Sequence, residues 1–437
     1  LEVDFTLKPL VWSDGTPVSA VDSVFGFNVA NDPHTTFGKG KTGFTQSYEA
    51  RDELSVRWTG LPGFMDQTYF TNVWAPLPAH TLSTYTAAEL PALDEMARLP
   101  LSSGPYVISE WPDENTAILT ANPEYYRAGE GLPTIETLTM KFGVLDDLLA
   151  DDADCDVIAY GALGSHNLAD LQAGGELDGW DVLTSPGDVY EQIAYGVLPV
   201  TEYRESRPDW FGDVRVRQAL AMCTDRRRML DELADGNGQI LETLTPSDHP
   251  LAPADLTSWS YDPAGANSLL DEAGYLDFAE DGRRQDVASG VPMTVTLGTN
   301  SEDSLRRRIT EIFEENLAAC GIPVERYDRP AGTWFSPGPT GPLFGRKFDL
   351  AAFAWLGHVN PDCSIFTTEK IPGPEEYDFG GWTAPNVSGW SDEAYDAACQ
   401  TAVNALPGGD GYEENMREAL RIFNEQLPAL PLFTGYK

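Results

Sequence analysis

The stretch from residue 292 to residue 357 restricts the fold more than any other part of the chain. It reads "PMTVTLGTN", "SLRRRITEIFEENLAACGI", "PVERY" and then "FDLAAFAWLG". The first and third pieces are strands. The second is a helix that stops at Gly321, a residue able to take the left-handed conformation with which helices commonly end. The fourth is almost unbroken apolar sequence, the pattern of a strand buried on both faces. Strand, helix and strand in succession predict an α/β architecture.

Upstream, "LEVDFTLKPL" alternates Leu1, Val3, Phe5 and Leu7 with Glu2, Asp4, Thr6 and Lys8, which is a half-buried strand. A chain rarely begins inside a strand, so a trimmed sequence is expected. "WSDG" supplies a turn at Gly15, and "VSAVDSVFGFNVAND" a helix capped by Ser19 with Asp22 as its acidic partner. Val21, Val24 and Phe25 are expected to share its apolar face. "EARDELSVRWTGLPGF" reads as a strand and "WAPLPAHTL" as a Pro-rich loop, with a boundary near Arg98. Two strands around "PDEN" follow, then the strand "TIETLTMKFG". "DDLLADDADCDVIAY" predicts a short helix leading into a strand, and "EQIAYGVLPV" a strand leaving that unit. From Asp213 the sequence turns helical, with Val216, Leu220, Met229 and Leu230 as apolar contacts. A helix capped by Asp262 and ended at Gly274 comes next, and the last segment holds two helices and an apolar strand.

The charge excludes one class of partner. With 28 Lys and Arg against 69 Asp and Glu, a net of −41, the chain lacks the clustered cations that nucleic acids and anionic membranes require. It holds no run of about 18 apolar residues. The five cysteines show neither CxxC spacing nor zinc-like pairing with histidine, and His34, His80, His166, His249 and His358 are dispersed, so no metal or cofactor is expected. An odd cysteine count leaves at least one thiol without an internal partner. The P-loop, GxSxG, HExxH and helix-opening GxGxxG motifs are missing. Carboxylate pairs are so abundant that surface solvation explains them better than catalysis, and "DGNGQILE" has Gly236 in the wrong place for a calcium loop.

The richest candidate site is "AWLGHVNPDCSIF", where a buried strand delivers Trp355 into a loop carrying His358, Asn360, Asp362 and Cys363. Strand ends are where α/β proteins hold ligands. Further on, "DFGGWTAPNVSGWSD" offers Trp382, Asn386 and Trp390, whose aromatic faces suit ring-bearing or peptide side-chain partners. The same residues also read as core tryptophans and turn formers, and spacing alone does not separate the two.

Several motifs together resemble one family, the extracellular solute-binding proteins of ABC importers, family 5, of the oligopeptide, dipeptide and nickel type. They are "LKPLVWSDGTPVSAVDSVF", "SSGPYVISEW" with "ANPEYY", "DVRVRQALAMCTDRRRML", "YDPAGANSLLDEAGY", "AACGIPVE", "AWLGHVNPD" and "LPALPLF", in family order along the chain. The resemblance implies a two-lobed α/β fold of the class II periplasmic-binding type, with a small extra domain and truncated at both ends. Residues 1–98 would form the extra domain, 99–204 with 426–437 lobe I, and 205–425 lobe II. It implies an extracytoplasmic, lipid-anchored monomer that closes on a peptide, oligosaccharide or related solute and delivers it to a membrane permease. A glycan-degrading enzyme and a sensor ectodomain are the alternatives. The ligand residues implied are Trp355, His358, Asn360, Asp362, Trp382 and Asn386.

Peptide-binding members carry an aspartate three residues after the tryptophan matching Trp355, and it pairs with the peptide's amino group. This chain has His358 there. An imidazole cannot supply that carboxylate, so ordinary peptide binding through the amino-terminal anchor is not expected unless a different loop geometry lets Asp362 or Asp349 compensate. The resemblance also implies a disulfide between Cys363 and Cys399, a second between Cys223 and Cys320, and a free Cys155.

Overall fold

The computed structural model describes residues 1–35, 39–143, 145–150, 155–163, 168–200, 204–205, 207–234, 236–277, 282–357, 360–377 and 379–436. The chain divides into two compact units, Leu1–Ala153 and Asp154–Lys437.

In the first unit, β1 (Glu2–Thr6) pairs antiparallel with β3 (Ser55–Gly60), which also pairs with β2 (Thr45–Ala50). The alternation works as expected, because Val3 and Phe5 pack against a core of Ala20, Phe27, Tyr48, Val56 and Trp58. Gly15 takes φ 88°, and Asp22 Oδ2 accepts the Ser19 N–H at 2.8 Å at the start of the helix Ala20–Asn31. Asp22 also accepts from Trp12 Nε1 and from the Ala79 N–H, so this buried carboxylate ties turn, helix and Pro-rich loop together.

The helix face is shifted from the expected one. Val24 and Phe25 pack half-buried against apolar clusters, but Val21 is exposed, and the buried positions are Ala20, Asp22, Ser23, Gly26, Phe27, Val29 and Ala30. The cause is close approach of the 74–77 segment. The Ser23 hydroxyl donates to Trp74 O at 2.6 Å, and a Cβ at Gly26 would collide with Ala75 O. Small residues therefore set this contact. A second antiparallel sheet, β4 (Tyr106–Asp113), β5 (Thr116–Ala121) and β6 (Thr137–Lys141), completes the unit. The strand expected after Asp151 is not formed among the described residues, where Tyr160–Leu163 is a 3-10 turn.

The second unit is built on a five-stranded sheet. Its strands are β7 (Pro186–Tyr195), β10 (Val295–Asn300), β11 (Val324–Arg329), β12 (Leu350–Leu356) and β13 (Ala429–Tyr436), in the order β11-β10-β12-β7-β13. A separate hairpin pairs β8 (Tyr275–Asp277) with β9 (Arg284–Asp286). β10 runs parallel to both β11 and β12, and the helix Ser304–Ala319 makes the crossover that parallel strands need. β7 is antiparallel to both β12 and β13. The residues assigned from sequence to separate lobes, β7 and β13 on one side and β10 to β12 on the other, therefore share one sheet.

Both faces of that sheet are covered. One packs Ile193, Tyr195, Leu297, Leu350 and Ala352 against the helices Val214–Cys223, Arg226–Ala234, Pro263–Glu272 and Ser304–Ala319. The other packs Tyr190, Ala194, Ala351 and Phe353 against the helices Glu393–Val403 and Tyr412–Gln426. The helical stretch after Asp213 is two helices, broken at Thr224, because Asp225 turns to accept the Arg228 N–H at 2.9 Å. Cys223 joins Cys320 and Cys363 joins Cys399, with Cα separations of 6.4 and 5.7 Å, and Cys155 is a free thiol. Among the described residues no helix is long and apolar enough to cross a membrane.

Candidate functional site at the end of strand β12

Trp355 lies next to the end of β12, directly opposite Tyr190 in the middle of β7. One step further into the sheet, Phe353 faces Gln192. Side chains two apart on a strand share a face, so Tyr190, Gln192, Phe353 and Trp355 form one patch. The Phe353 and Trp355 rings meet edge to face at 5.7 Å.

The polar atoms of this patch are its notable feature. Tyr190 Oη, both ends of the Gln192 amide and Trp355 Nε1 are buried, and none has a hydrogen-bond partner among the described residues. A buried polar group left unpartnered costs about 1–3 kcal/mol, so a strand seldom keeps several together without a use for them. Burial pushes the Tyr190 phenol upward, and the negative charge of Asp362 adds to the effect. The hydroxyl is thus neutral throughout the physiological range, able both to donate and to accept. What the patch can do chemically is bind: an indole, a phenol and an amide offer stacking and hydrogen bonds.

The residues expected from sequence fare differently. Trp355 stands in the patch, half-buried. His358 lies outside the described residues, and Asn360 is half-buried just beyond. Asp362 caps the 3-10 turn Cys363–Phe366, its Oδ1 accepting the Ser364 N–H at 3.0 Å and the Ser364 hydroxyl at 2.5 Å. Its Oδ2 takes no hydrogen bond from a described residue.

Trp382 packs elsewhere, over Gly338, whose N–H donates to Trp382 O at 3.0 Å, on the segment that enters β12 rather than the one that leaves it. Asn386 is fully buried, and its Nδ2 donates to Phe366 O, Thr367 O and Trp390 O at 3.0, 3.0 and 2.8 Å. Its Oδ1 accepts the Ser388 hydroxyl, so its amide is engaged by backbone and side chain around it. Trp390 is core, set edge to face on Tyr395, and Asp349 is buried against Arg207 with Thr296 donating twice to its Oδ2.

Sequence reading missed Tyr190 and Gln192. The available signal was "VYEQIAY", a strand otherwise apolar enough for a core that carries two adjacent polar residues. A separate cavity of about 370 Å³, lined by Asp225, Arg226, Glu242, Ser258 and Tyr261 among others, includes none of the expected residues. Its Arg226 and Glu242 satisfy each other at 2.9 Å.

The sequence profile of the Bacterial extracellular solute-binding proteins, family 5 Middle, matches residues 1–369. The chain belongs to this family. It is 26% identical over 330 residues to the oligopeptide-binding protein AppA of Bacillus subtilis, an alignment covering 73% of this chain and 56% of that relative. The chain thus spans little more than half the length of this curated relative. The solved structure of AppA from Bacillus subtilis in complex with a nonapeptide superposes with a TM-score of 0.64 at 22% identity, covering 100% of this chain and 82% of the other. That of NikZ from Campylobacter jejuni in complex with Ni(L-His) gives a TM-score of 0.67 at 18% identity, covering 100% and 81%. The fold of this family 5 protein is therefore that of the periplasmic oligopeptide-binding structures. The curated relative is named as an oligopeptide-binding protein.

Proposed function

We propose that this family 5 protein captures a peptide outside the cytoplasm and hands it, as a monomer, to an ABC transporter permease. The observation that carries the reading is the patch of Tyr190, Gln192 and Trp355, whose buried polar atoms lack partners among the described residues at the end of a sheet strand. A peptide backbone supplies carbonyls for Tyr190 Oη and Trp355 Nε1, and both a donor and an acceptor for the Gln192 amide. An apolar or aromatic side chain of the ligand would lie against Trp355 and Phe353. Asp362 takes the role of amino-group anchor, since its charge reaches Tyr190 and one of its oxygens is not engaged by the turn it caps.

The test is a thermal-shift panel of di-, tri- and longer peptides, with oligosaccharides and Ni(L-His) as comparators. Peptides should raise the melting temperature, and Trp355→Ala should abolish that rise while the protein still unfolds cooperatively. A panel in which sugars shift it and peptides do not would reject the peptide reading. A peptide response unchanged in Trp355→Ala would reject the patch.

A further inference from the structure

A buried cation without an anion is the least expected feature in a chain carrying 69 acidic side chains against 28 basic ones. Arg346, in the segment leading into β12, is only 6% exposed. Among the described residues no carboxylate pairs with it. Its Nη1 donates to Leu198 O at 2.6 Å, its guanidinium lies 5.2 Å from the centre of the Phe379 ring, and its buried Nε has no partner.

The other buried arginines form an internal control. Arg226 pairs with Glu242, Arg284 with Asp271, Arg306 with Glu191 and Arg207 with Asp349. Arg217 has no carboxylate either, but its guanidinium donates to the carbonyls of Phe211, Gly212, Gln426 and Leu427. Each of these five thus has a carboxylate or several carbonyls beside it. Arg346 has one carbonyl, although a desolvated guanidinium needs several hydrogen bonds to be tolerated.

Two further facts bear on its purpose. The backbone holds Arg346 at φ 52°, a left-handed conformation that costs a non-glycine residue about 1 kcal/mol or more. A second guanidinium belongs to the same turn system: the Val200 N–H donates to Arg346 O, and the Arg204 N–H donates to Val200 O. Burial, and then the Arg204 charge, pull Arg346 down to about 10, which leaves it fully charged at neutral pH.

We propose that Arg346, with Arg204 beside it, is a receptor for an oxyanion, a carboxylate or phosphate group that takes the guanidinium N–H groups the protein leaves unpaired. The planar fork of Arg suits a two-oxygen anion bidentately. The site involves neither Trp355 nor Tyr190, so it stands or falls apart from the peptide patch.

The test is a thermal-shift titration of the full chain with inorganic phosphate and, separately, with acetate, against sodium chloride at matched ionic strength. In the wild type at least one of the two should give a saturating rise in melting temperature. In Arg346→Met that rise should be at least ~3-fold smaller, and Arg346→Lys should retain part of it. Phosphate alone active identifies a free phosphate site; acetate alone, or acetate as well, identifies a carboxylate group as a ligand. If Arg346→Met fails to fold, Arg204→Met replaces it and should weaken the response. No saturating response in the wild type, or equal responses in wild type and variants, overturns the proposal.

Discussion

Tyr190→Phe separates binding from packing more cleanly than any other substitution in this protein. It deletes one oxygen from a residue whose ring sits in the core beside Ala194, Ala351 and Phe353. That oxygen is buried and has no partner among the described residues, so removing it relieves a penalty of about 1–3 kcal/mol in the free protein. For a unit of this size each kcal/mol moves the melting temperature by about 2 °C, so the ligand-free variant should melt about 2–6 °C higher. Binding should respond in the opposite direction. Loss of a hydrogen bond to a ligand costs about 1–1.5 kcal/mol, or roughly tenfold in Kd. Differential scanning calorimetry without ligand and isothermal titration with a peptide give the two numbers. Since burial raises the Tyr190 pKa, the difference between wild type and variant in each number should not change between pH 6 and 9. A variant that melts lower and binds as before would refute the reasoning, because the hydroxyl would then be serving the fold.

Asn386→Ala removes the donor for three backbone carbonyls and should cost about 3 kcal/mol in denaturant unfolding, with the affinity of the folded protein unchanged. Replacing Cys363 and Cys399 by alanine frees a 36-residue loop, which the chain-entropy relation values at about 4 kcal/mol. Intact-mass analysis of the native protein should give one alkylated thiol, Cys155, without reductant and five after reduction. The Arg215 hydrogen bond and charge hold Asp213, the cap of the helix Val214–Cys223, below the ordinary value of 3.8. Its contribution is thus complete above that value and lost as pH falls through the lower folded pKa. The gap in melting temperature between wild type and Asp213→Asn should accordingly close on acidification from pH 5 to pH 2.5.

What the sequence disclosed was whatever depends on neighbours along the chain. The alternation of Val3 and Phe5, the cap Asp262 and the two-sided burial of Leu350 to Phe353 follow from local pattern. Tyr190 became visible only with the register that sets it opposite Trp355, a pairing no local rule supplies. Asn386 and Asp362 were ambiguous for a physical reason, since the side chains that cap turns are the ones that bind ligands. Only their hydrogen-bond partners distinguish the two roles. The misread helix face has the same origin: Gly26 marks a close backbone approach that hydrophobic periodicity cannot express.

The strand order has a kinetic consequence. β7 is flanked by β12 and β13, and Ala194 pairs with Ala429, roughly 230 residues further along the chain. Neither edge of β7 can be closed by anything synthesised near it. A nascent or translocating chain therefore carries this apolar strand unpaired until β12 has emerged, and with one edge open until β13 follows, a high-contact-order arrangement that folds slowly. For a protein of an extracellular family, delay before assembly keeps the polypeptide threadable. A permutation that places β13 directly before β7 should refold faster, and should be harder to export.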